Sequence, residues 1–419
     1  MDTSWTGRGA AGLAGLALLT ASVLAPVAAS ADPNHEGSPT PTSTATSFPS
    51  ETASPRASAE HGTVTDTSGQ GWKADPVSSK DAARMACSSL MFVGVRGSGE
   101  TAPYGTTITG VRDALAKRWN GSGTVRQVWL DYPAADPHTL QDTPMSSLLL
   151  DPTFPRTQYF DSAREGAESL VDLLRQEEDR CPGEWVVLAG FSQGSQAITQ
   201  ALARTDVPRR LAGAILAGNP DHFPTQNVQE IDGTAPQSSI GMAALLYYLR
   251  EQALANPDAS RDDQVRALIA TTIAIHGGNY NLATMREDLR RAKAEIPATA
   301  YPATFSVCQA GDPVCDAAPA IERILTLQST WQDELNKGRP VHMGYTPEVM
   351  AQSLDAVAAR MNAVGKAAAE GEPLPKGTTV TVRTSRWGAP QVAAVVGAGV
   401  GGLLIGALVG RLARRRRRH

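Results

Sequence analysis

A serine between two glycines is the residue in this chain best placed to do chemistry. Ser192 lies in the pattern Gly190-x-Ser192-x-Gly194, after the aliphatic run 186–189 and before an apolar helical pattern. A strand, a sharp turn and a helix expose such a serine at a sheet edge, and the glycines avoid collisions there. The backbone N–H of Gln193 would then face a developing oxyanion. The pattern predicts a serine nucleophile, and the alternative is a chance match in a glycine-rich chain.

A serine nucleophile needs a base, which is most often a histidine. In sheet-based hydrolases of this kind the chain order is serine, acid, histidine. His138 precedes Ser192, and no strong acidic turn separates the serine from His222 or His276. His342 follows the serine in a loop context, just before the last predicted helix. We therefore predict that His342 is the base.

The acidic partner is best sought in the segment 308–315, which directly follows the last predicted strand. Asp312 lies inside it, between Cys308 and Cys315. A disulfide across so short a loop would hold the carboxylate rigidly, which suits a group that fixes one imidazole tautomer. The alternative is a structural disulfide around an incidental turn residue. We predict that Asp312 orients the base.

The composition is that of a globular protein with polar appendages. The chain has 419 residues, of which 42% are hydrophobic and 19% are charged. The net charge is −4, and leaving out the six arginines within residues 411–419 makes it about −10. The body therefore offers no basic surface for nucleic acid. The abundance of arginine, alanine and glycine indicates a GC-rich genome.

The cysteine count suits an exported protein. An even, sparse set of four predicts two disulfides. The alternative is a zinc site, but no Cys-x-x-Cys or His-x-x-x-His spacing occurs. The four residues are Cys87, Cys181, Cys308 and Cys315.

Short apolar runs alternate with helical patterns through the predicted domain, residues 79–370. The strand candidates are 90–95, 125–130, 185–189, 211–217 and 303–307. The helical patterns are 107–119, 162–178, 195–203, 321–335 and 347–368. The continuous apolar runs are typical of strands covered on both faces. The alternation predicts an α/β fold with a parallel sheet wrapped by helices.

A long helical insert is predicted at 219–307. Helical patterns cover 242–255 and 282–296, and Ser260-x-x-Asp263 resembles a capping box that opens another helix between them. Two interpretations remain open. The insert is either extra core packing or a cap over the active site that binds acyl chains.

The N-terminal segment carries the signals of export. Residues 1–31 contain Arg8, an apolar stretch and the small-x-small motif 29–31, which predicts a cleaved signal peptide. An uncleaved anchor is the alternative. Residues 32–78 are rich in serine, threonine and proline and contain few large apolar residues. Such a segment cannot bury enough surface to offset its ordering entropy, so we predict a flexible linker.

The C-terminal segment predicts a membrane anchor. After a second linker at 371–390, residues 391–410 carry no charge, and the basic tail 411–419 follows. About twenty apolar residues span a bilayer, and the arginines stay inside, so the domain would face out. Gly-x-x-x-Gly spacings in the span leave self-association open. Sortase attachment is disfavoured, because residues 374–378 read Leu-Pro-Lys-Gly-Thr instead of Leu-Pro-x-Thr-Gly.

Three stretches, taken in order, carry a resemblance to a known family. They are Cys87 with 93–100, the pentapeptide 190–194, and 308–315 followed by His342-x-x-Tyr345. Over residues 87–368 the chain resembles the cutinase family of serine esterases, in an actinobacterial, membrane-anchored form. The resemblance implies an α/β-hydrolase fold, a three-layer sandwich with a central five-stranded parallel sheet.

The resemblance also implies roles for individual residues. Ser192 would be the nucleophile, His342 the base and Asp312 its orienter. The oxyanion would be held by the N–H of Gln193 and by Ser98, through its N–H and hydroxyl. The implied disulfides are Cys87–Cys181 and Cys308–Cys315, and no metal or cofactor is implied. The insert and the segment between Cys315 and His342 are longer than in compact cutinases, which favours long-chain or envelope lipids over polymer surfaces.

The expected function is hydrolysis of lipid or polyester carboxylic esters outside the membrane, through an acyl-enzyme. One alternative keeps the enzyme but changes the substrate to acetylated polysaccharide. Another is a cell-surface binding or adhesion module on a hydrolase scaffold, because a fold alone does not determine function.

Overall fold

The computed structural model describes residues 71–72, 75–204, 210–224, 226–292, 294–296 and 303–370. The predicted signal peptide, the span 391–410, the tail 411–419 and nearly all of both linkers lie outside these ranges. Within them, every helix is too short or too polar to traverse a bilayer.

The described residues build one sheet of six parallel strands. The strands are β1 (Val77–Ser78), β2 (Leu90–Val95), β3 (Val125–Trp129), β4 (Trp185–Phe191), β5 (Leu211–Ala217) and β6 (Thr304–Val307). Their order across the sheet is β1-β3-β2-β4-β5-β6, and each neighbouring pair is parallel. The five predicted strands are all present. The C-terminal ends of β4, β5 and β6 therefore meet at one edge of the sheet.

The prediction of five strands is wrong by one edge strand. β1 pairs with β3 through Val77 and Val128 and through Ser78 and Trp129. Two residues form no apolar run that a sequence pattern could identify. β1 forms instead because the folded sheet places β3 beside it.

Ten α-helices connect and cover the described strands. They are α1 (Gly105–Arg118), α2 (Met145–Leu150), α3 (Gln158–Arg180), α4 (Gln193–Leu202), α5 (Met242–Leu254), α6 (Arg261–His276), α7 (Leu282–Arg291), α8 (Ala318–Leu325), α9 (Trp331–His342) and α10 (Ala351–Glu370). Short 3-10 turns cover Ser79–Arg84 and Pro137–Asp142. Except at 321–335, the helices predicted for the domain are present, with ends shifted by a few residues.

The prediction of one helix at 321–335 is wrong, because the segment contains two helices. α8 ends at Leu325, and Leu327 adopts a φ of 60°, outside the helical region. Thr330 then caps α9 by accepting a hydrogen bond from the N–H of Asp333. Residues 326–330 carry no proline or glycine, the usual signals of such a break.

Helices pack on both faces of the sheet and produce three layers. On one face, α1 and α10 bury apolar side chains such as Leu115 and Met361 against the strands. On the other face, α3 and α4 do the same through Leu170 and Ile198. Strands buried from both sides explain why the apolar runs in the sequence are continuous.

The insert between β5 and β6 builds a third apolar cluster. Helices α5, α6 and α7 pack there with α2 and the start of α3, and the cluster is distinct from the two on the sheet faces. Ser260 caps α6 as the capping-box pattern indicated, by accepting from the N–H of Asp263. α7 ends at Arg291, so the helix predicted at 282–296 is too long. The insert therefore has its own core.

Residues of the predicted linker take part in the domain core. Trp72 is only 1% exposed, packs against Phe92 with ring centroids 5.7 Å apart, and bridges to Val125. Its indole N–H has no hydrogen-bond partner among the described residues. The side chain of Trp72 therefore contributes by apolar burial alone.

We expect Trp72→Ala to lower the free energy of unfolding by about 3–5 kcal/mol, because it leaves a cavity in the core. Trp72→Phe should cost clearly less, since it keeps an apolar ring and loses no hydrogen bond. Urea unfolding followed by circular dichroism measures both. A Trp72→Ala protein within about 0.5 kcal/mol of the wild type, the range typical of surface changes, would contradict this role.

Candidate active site

The turn between β4 and α4 holds Ser192 in a strained conformation. Its φ is 52° and its ψ is −122°, values that a residue with a side chain rarely adopts. A Cβ on Gly190 would lie 2.7 Å from the Ser195 nitrogen, and one on Gly194 would lie 2.2 Å from the Val95 carbonyl oxygen. Both glycines are therefore required by close backbone approach. The turn presents Ser192 at the carboxyl edge of the sheet.

The ring of His342 lies between Ser192 and Asp312. Its Nε2 is 3.0 Å from the Ser192 hydroxyl, and its Nδ1 is 3.0 Å from each carboxylate oxygen of Asp312. Phe191 stacks on the imidazole with centroids 4.9 Å apart, which fixes the plane of the ring. The structure thus brings together the three side chains that the sequence predicted for the site.

The loop context expected for His342 is not observed. His342 is the last residue of α9, and Pro340 lies inside that helix. Proline and Gly338 suggest a loop because both disfavour helix interiors. Tertiary packing overrides that preference here. The helix packs so closely on Pro313 that a Cβ on Gly338 would lie 2.2 Å from the proline ring, so this position needs a glycine. α9 therefore closely approaches the loop 308–315 that carries Asp312, here called the acid loop.

Asp312 is buried and its carboxylate is fully engaged. Oδ1 accepts from the Val314 N–H at 2.8 Å, and Oδ2 accepts from the Tyr345 hydroxyl at 2.6 Å. Burial alone would raise the pKa of this carboxyl. The neighbouring His342 ring, with hydrogen bonds from that ring and from Tyr345, outweighs burial and lowers the pKa. Asp312 is therefore held as a carboxylate facing the imidazole.

Tyr345 is a site residue to which sequence reasoning assigned no role. Its hydroxyl also accepts from the Gln309 N–H at 3.1 Å, so it ties both ends of the acid loop. Burial and the Asp312 charge raise the pKa of Tyr345 well above its ordinary value, so it stays a donor. No spacing rule predicts a contact between residues 33 positions apart. The family motif His342-x-x-Tyr345 was the available signal.

Both implied disulfides are present. Cys308–Cys315 closes the loop that carries Asp312, and Cys87–Cys181 links the segment before β2 to the end of α3. The Gly311 N–H also donates to the carboxylate of Asp316, the residue that follows Cys315. The acid loop is therefore held by a covalent bond and by hydrogen bonds.

Gln193 begins the helix that follows Ser192, as the sequence pattern indicated. It is the first residue of α4, and the N–H groups of a first helical turn have no partner within the helix. Its side chain is fully buried: Oε1 accepts from the Ser162 hydroxyl at 3.1 Å, and Nε2 donates to the Tyr159 carbonyl at 2.9 Å. These bonds anchor the start of the helix beside the nucleophile.

Ser98 lies half-buried in the loop after β2. Gly194 packs against the Val95 and Arg96 carbonyls, which places this loop next to the nucleophile turn. The Glu100 carboxylate accepts from the Gly97 N–H at 2.6 Å, and burial raises its pKa. The Arg96 guanidinium donates to the backbone carbonyls of Glu100, Leu130 and Tyr132. These contacts hold the loop that carries Ser98 beside the turn of Ser192.

The other candidate histidines lie elsewhere. His138 is exposed and pairs with Asp136, His276 pairs with Glu322, and His222 is buried between the Ser239 and Ser306 hydroxyls. Among the described residues, these three histidines make their hydrogen bonds away from Ser192.

One group of possible metal ligands occurs among the described residues: Glu177, Cys181 and Glu184. Cys181 is in a disulfide, and both carboxylates bind the buried Arg126 guanidinium. Their ligand atoms are already used, so the group does not suit a metal ion.

A second buried carboxyl group, that of Asp221, lies beside α4. Asp221 accepts hydrogen bonds from the side chains of Gln196 and Gln200, each at 3.2 Å. Burial raises the pKa of Asp221 to about 7, against the lowering effect of the two amides. Sequence reasoning did not identify it, because a lone aspartate after a strand has no distinguishing pattern.

The raised pKa of Asp221 predicts how stability depends on pH. The folded protein holds this proton up to about pH 7, whereas the unfolded chain releases it near its ordinary value. Stability from this group is present at low pH and falls as pH rises to about 7, by about 1.4 kcal/mol per unit of pKa difference. The free energy of unfolding of Asp221→Asn relative to wild type should therefore rise between pH 5 and pH 8 in urea titrations. A difference that stays constant with pH would contradict this.

Comparison with known proteins gives the family to which the sequence is similar. The family model described as "Cutinase" matches residues 86–361. Curated cutinases from Botryotinia fuckeliana and Monilinia fructicola are 28% and 27% identical over 146 residues, which cover 34% of this chain and 63% of each relative. The chain thus matches somewhat less than two thirds of the length of these relatives.

Solved structures are similar at lower levels. A cutinase-like protein from Cryptococcus sp. is 15% identical with a TM-score of 0.36, covering 69% of this chain and 100% of that chain. The catalytic core domain of an acetyl xylan esterase from Trichoderma reesei is 18% identical with a TM-score of 0.37, covering 66% of this chain and 100% of that chain.

Proposed function

The chain belongs to the cutinase family, and on that basis we propose that it is a serine carboxylic ester hydrolase that acts through Ser192, His342 and Asp312. The observation that carries the proposal is the aligned hydrogen-bonded line through His342, with 3.0 Å on both sides of the ring. A binding module would not need this line. The strained backbone at Ser192 also lowers stability by about 1–3 kcal/mol, and a purely structural role gives no reason for such strain.

The reaction proceeds in two half-reactions. The Ser192 oxygen attacks the ester carbonyl carbon while Nε2 of His342 takes the hydroxyl proton, and the Asp312 carboxylate stabilises the resulting imidazolium. The N–H of Gln193, with the N–H and hydroxyl of Ser98, receives the negative charge on the former carbonyl oxygen. The C–O bond to the alcohol breaks, and the alcohol leaves with the proton from His342. Water then hydrolyses the acyl-enzyme by the same steps.

We expect Ser192→Ala to abolish turnover of p-nitrophenyl acyl esters and labelling by a fluorophosphonate probe, because it removes the hydroxyl that hydrogen-bonds to Nε2 of His342. Ser195→Ala is the matched control: this buried hydroxyl, three residues along, bonds to the Gly190 and Ala217 carbonyls instead. The control should still be labelled. Equal turnover by folded Ser192→Ala protein would refute the assignment.

We also propose that the enzyme is exported and anchored, as the actinobacterial, membrane-anchored type. Support comes from the sequence alone: the signal pattern 1–31, the linker 32–78, the uncharged segment 391–410 and the arginine-rich tail 411–419. The catalytic domain would then act outside the membrane on lipid or polyester esters. Helix-mediated self-association through Gly-x-x-x-Gly spacings belongs to the same proposal.

Fractionation of a producing bacterium tests the anchor. The full chain should stay with carbonate-washed membranes, whereas a chain ending at residue 390 should be released in soluble form, because it lacks the apolar segment. Release of the full chain by lysozyme digestion alone would overturn the anchor and favour attachment to the cell wall.

A further inference from the structure

The carboxylate of Glu100 caps the N-terminus of α1 from outside the helix. Its Oε1 accepts a hydrogen bond at 3.0 Å from the N–H of Thr106, in the first turn of α1. Tyr104 occupies the position that usually supplies the cap, but its side chain makes no capping bond, and the first turn contains no acidic residue. The first N–H groups of a helix have no partner within it, and its positive end favours a negative charge. Glu100 therefore replaces a local cap.

The second oxygen of the same carboxylate holds the loop that carries Ser98. Oε2 of Glu100 accepts from the Gly97 N–H at 2.6 Å, so one side chain joins the residue before Ser98 to α1. The backbone closes the same turn, because the Glu100 N–H donates to the Gly97 carbonyl at 3.2 Å. Gly99 has a φ of 72°, and a type II turn needs a positive φ at this third position. Ser98 is thus the second residue of a turn whose ends are bonded twice.

The turn 97–100 packs directly against the turn of Ser192. A Cβ on Gly97 would lie 2.7 Å from the ring of Phe191, the residue before Ser192. The Phe191 ring also stacks on the imidazole of His342. A displacement of the turn 97–100 would therefore move Ser98 relative to the nucleophile, and a misplacement of about 1 Å can lower a rate about 10²-fold.

The hydrogen bonds of this side chain require an acceptor at both of its ends. The Glu100 carboxylate interacts with the backbone N–H groups of Gly97, Thr106 and Thr107. Burial raises the pKa of Glu100 above its ordinary value, against the lowering effect of these N–H groups. A glutamine has nearly the same shape, but its amide NH2 would face one of the N–H donors and leave that donor unpaired. Glu100→Gln therefore breaks one of the two links with little change of volume.

We propose that Glu100 is a positioning residue for the oxyanion site, because its carboxylate ties the turn that carries Ser98 to the start of α1. The inference rests on the proposed function and on the oxyanion role proposed there for Ser98. Glu100 acts through Ser98 rather than on the substrate. A loosened turn would still allow the ester to bind, but it would stabilise the negative charge of the transition state less.

The test is a double-mutant cycle of Glu100→Gln and Ser98→Ala in the full chain, with p-nitrophenyl butyrate as the substrate. Ser98→Ala removes the hydroxyl donor and should lower kcat about 10²-fold. Glu100→Gln alone should lower kcat about tenfold or more and change KM less than about threefold, because the lost interaction is made in the transition state. In the Ser98→Ala background, Glu100→Gln should cost at least about threefold less, since the hydroxyl that it positions is gone.

Ser260→Ala is the control for the loss of a helix cap, because Ser260 caps α6 in the insert; its kcat and KM should stay near those of the wild type. Glu100→Asp keeps the charge but is one methylene too short to reach both partners. It serves as a second variant for the same cycle if glutamine disturbs folding, which circular dichroism checks.

An unchanged kcat in the folded Glu100 variants would overturn the inference. Losses that simply multiply in the double mutant would overturn it too, because Glu100 would then act on α1 and not through Ser98. An unchanged kcat in Ser98→Ala has the same consequence. In all of these cases Ser192 of the wild type is still labelled by fluorophosphonate, whereas absence of labelling overturns the proposed function itself.

Discussion

The imidazole of His342 must contact Ser192 and Asp312 at once, and most of the surrounding structure serves that requirement. The three residues come from the β4–α4 turn, the loop after β6 and the end of α9. Parallel strands bring two of these segments to one edge of the sheet. The third arrives through a helix that ends against the acid loop. Phe191 and Tyr345 then fix the ring and the carboxylate from the sides.

The pKa values of the two buried carboxyl groups near His342 and α4 depend on their hydrogen-bond partners. Asp312 stays ionised although it is buried, because donors converge on it and the imidazole faces it. Asp221, equally buried but bonded only by two amide side chains, has a raised pKa instead. The difference between the two carboxyl groups therefore follows from the number and charge of their partners rather than from burial, which is the same for both.

Local patterns predicted the central strands and the three side chains that meet at the candidate site, whereas features that depend on contacts between distant residues were missed. The runs at β2 and β5 were identified to the residue, because buried strands leave continuous apolar stretches. β1 and Trp72 gave no signal, since their positions depend on β3 and Phe92. The end of α9 was predicted as a loop from Gly338 and Pro340, where tertiary packing overrides local preference.

The separate core of the insert has a consequence for how this scaffold can change. A Cβ on Gly190 or Gly194 would require a shift of the backbone, so the turn that carries Ser192 is confined to one backbone conformation. The packing of α5, α6 and α7 is distinct from both sheet faces. The apolar side chains inside this cluster can therefore vary with less effect on the turn of Ser192 than changes in the sheet, and directed evolution of new selectivity would do best to randomise those side chains and leave the sheet untouched.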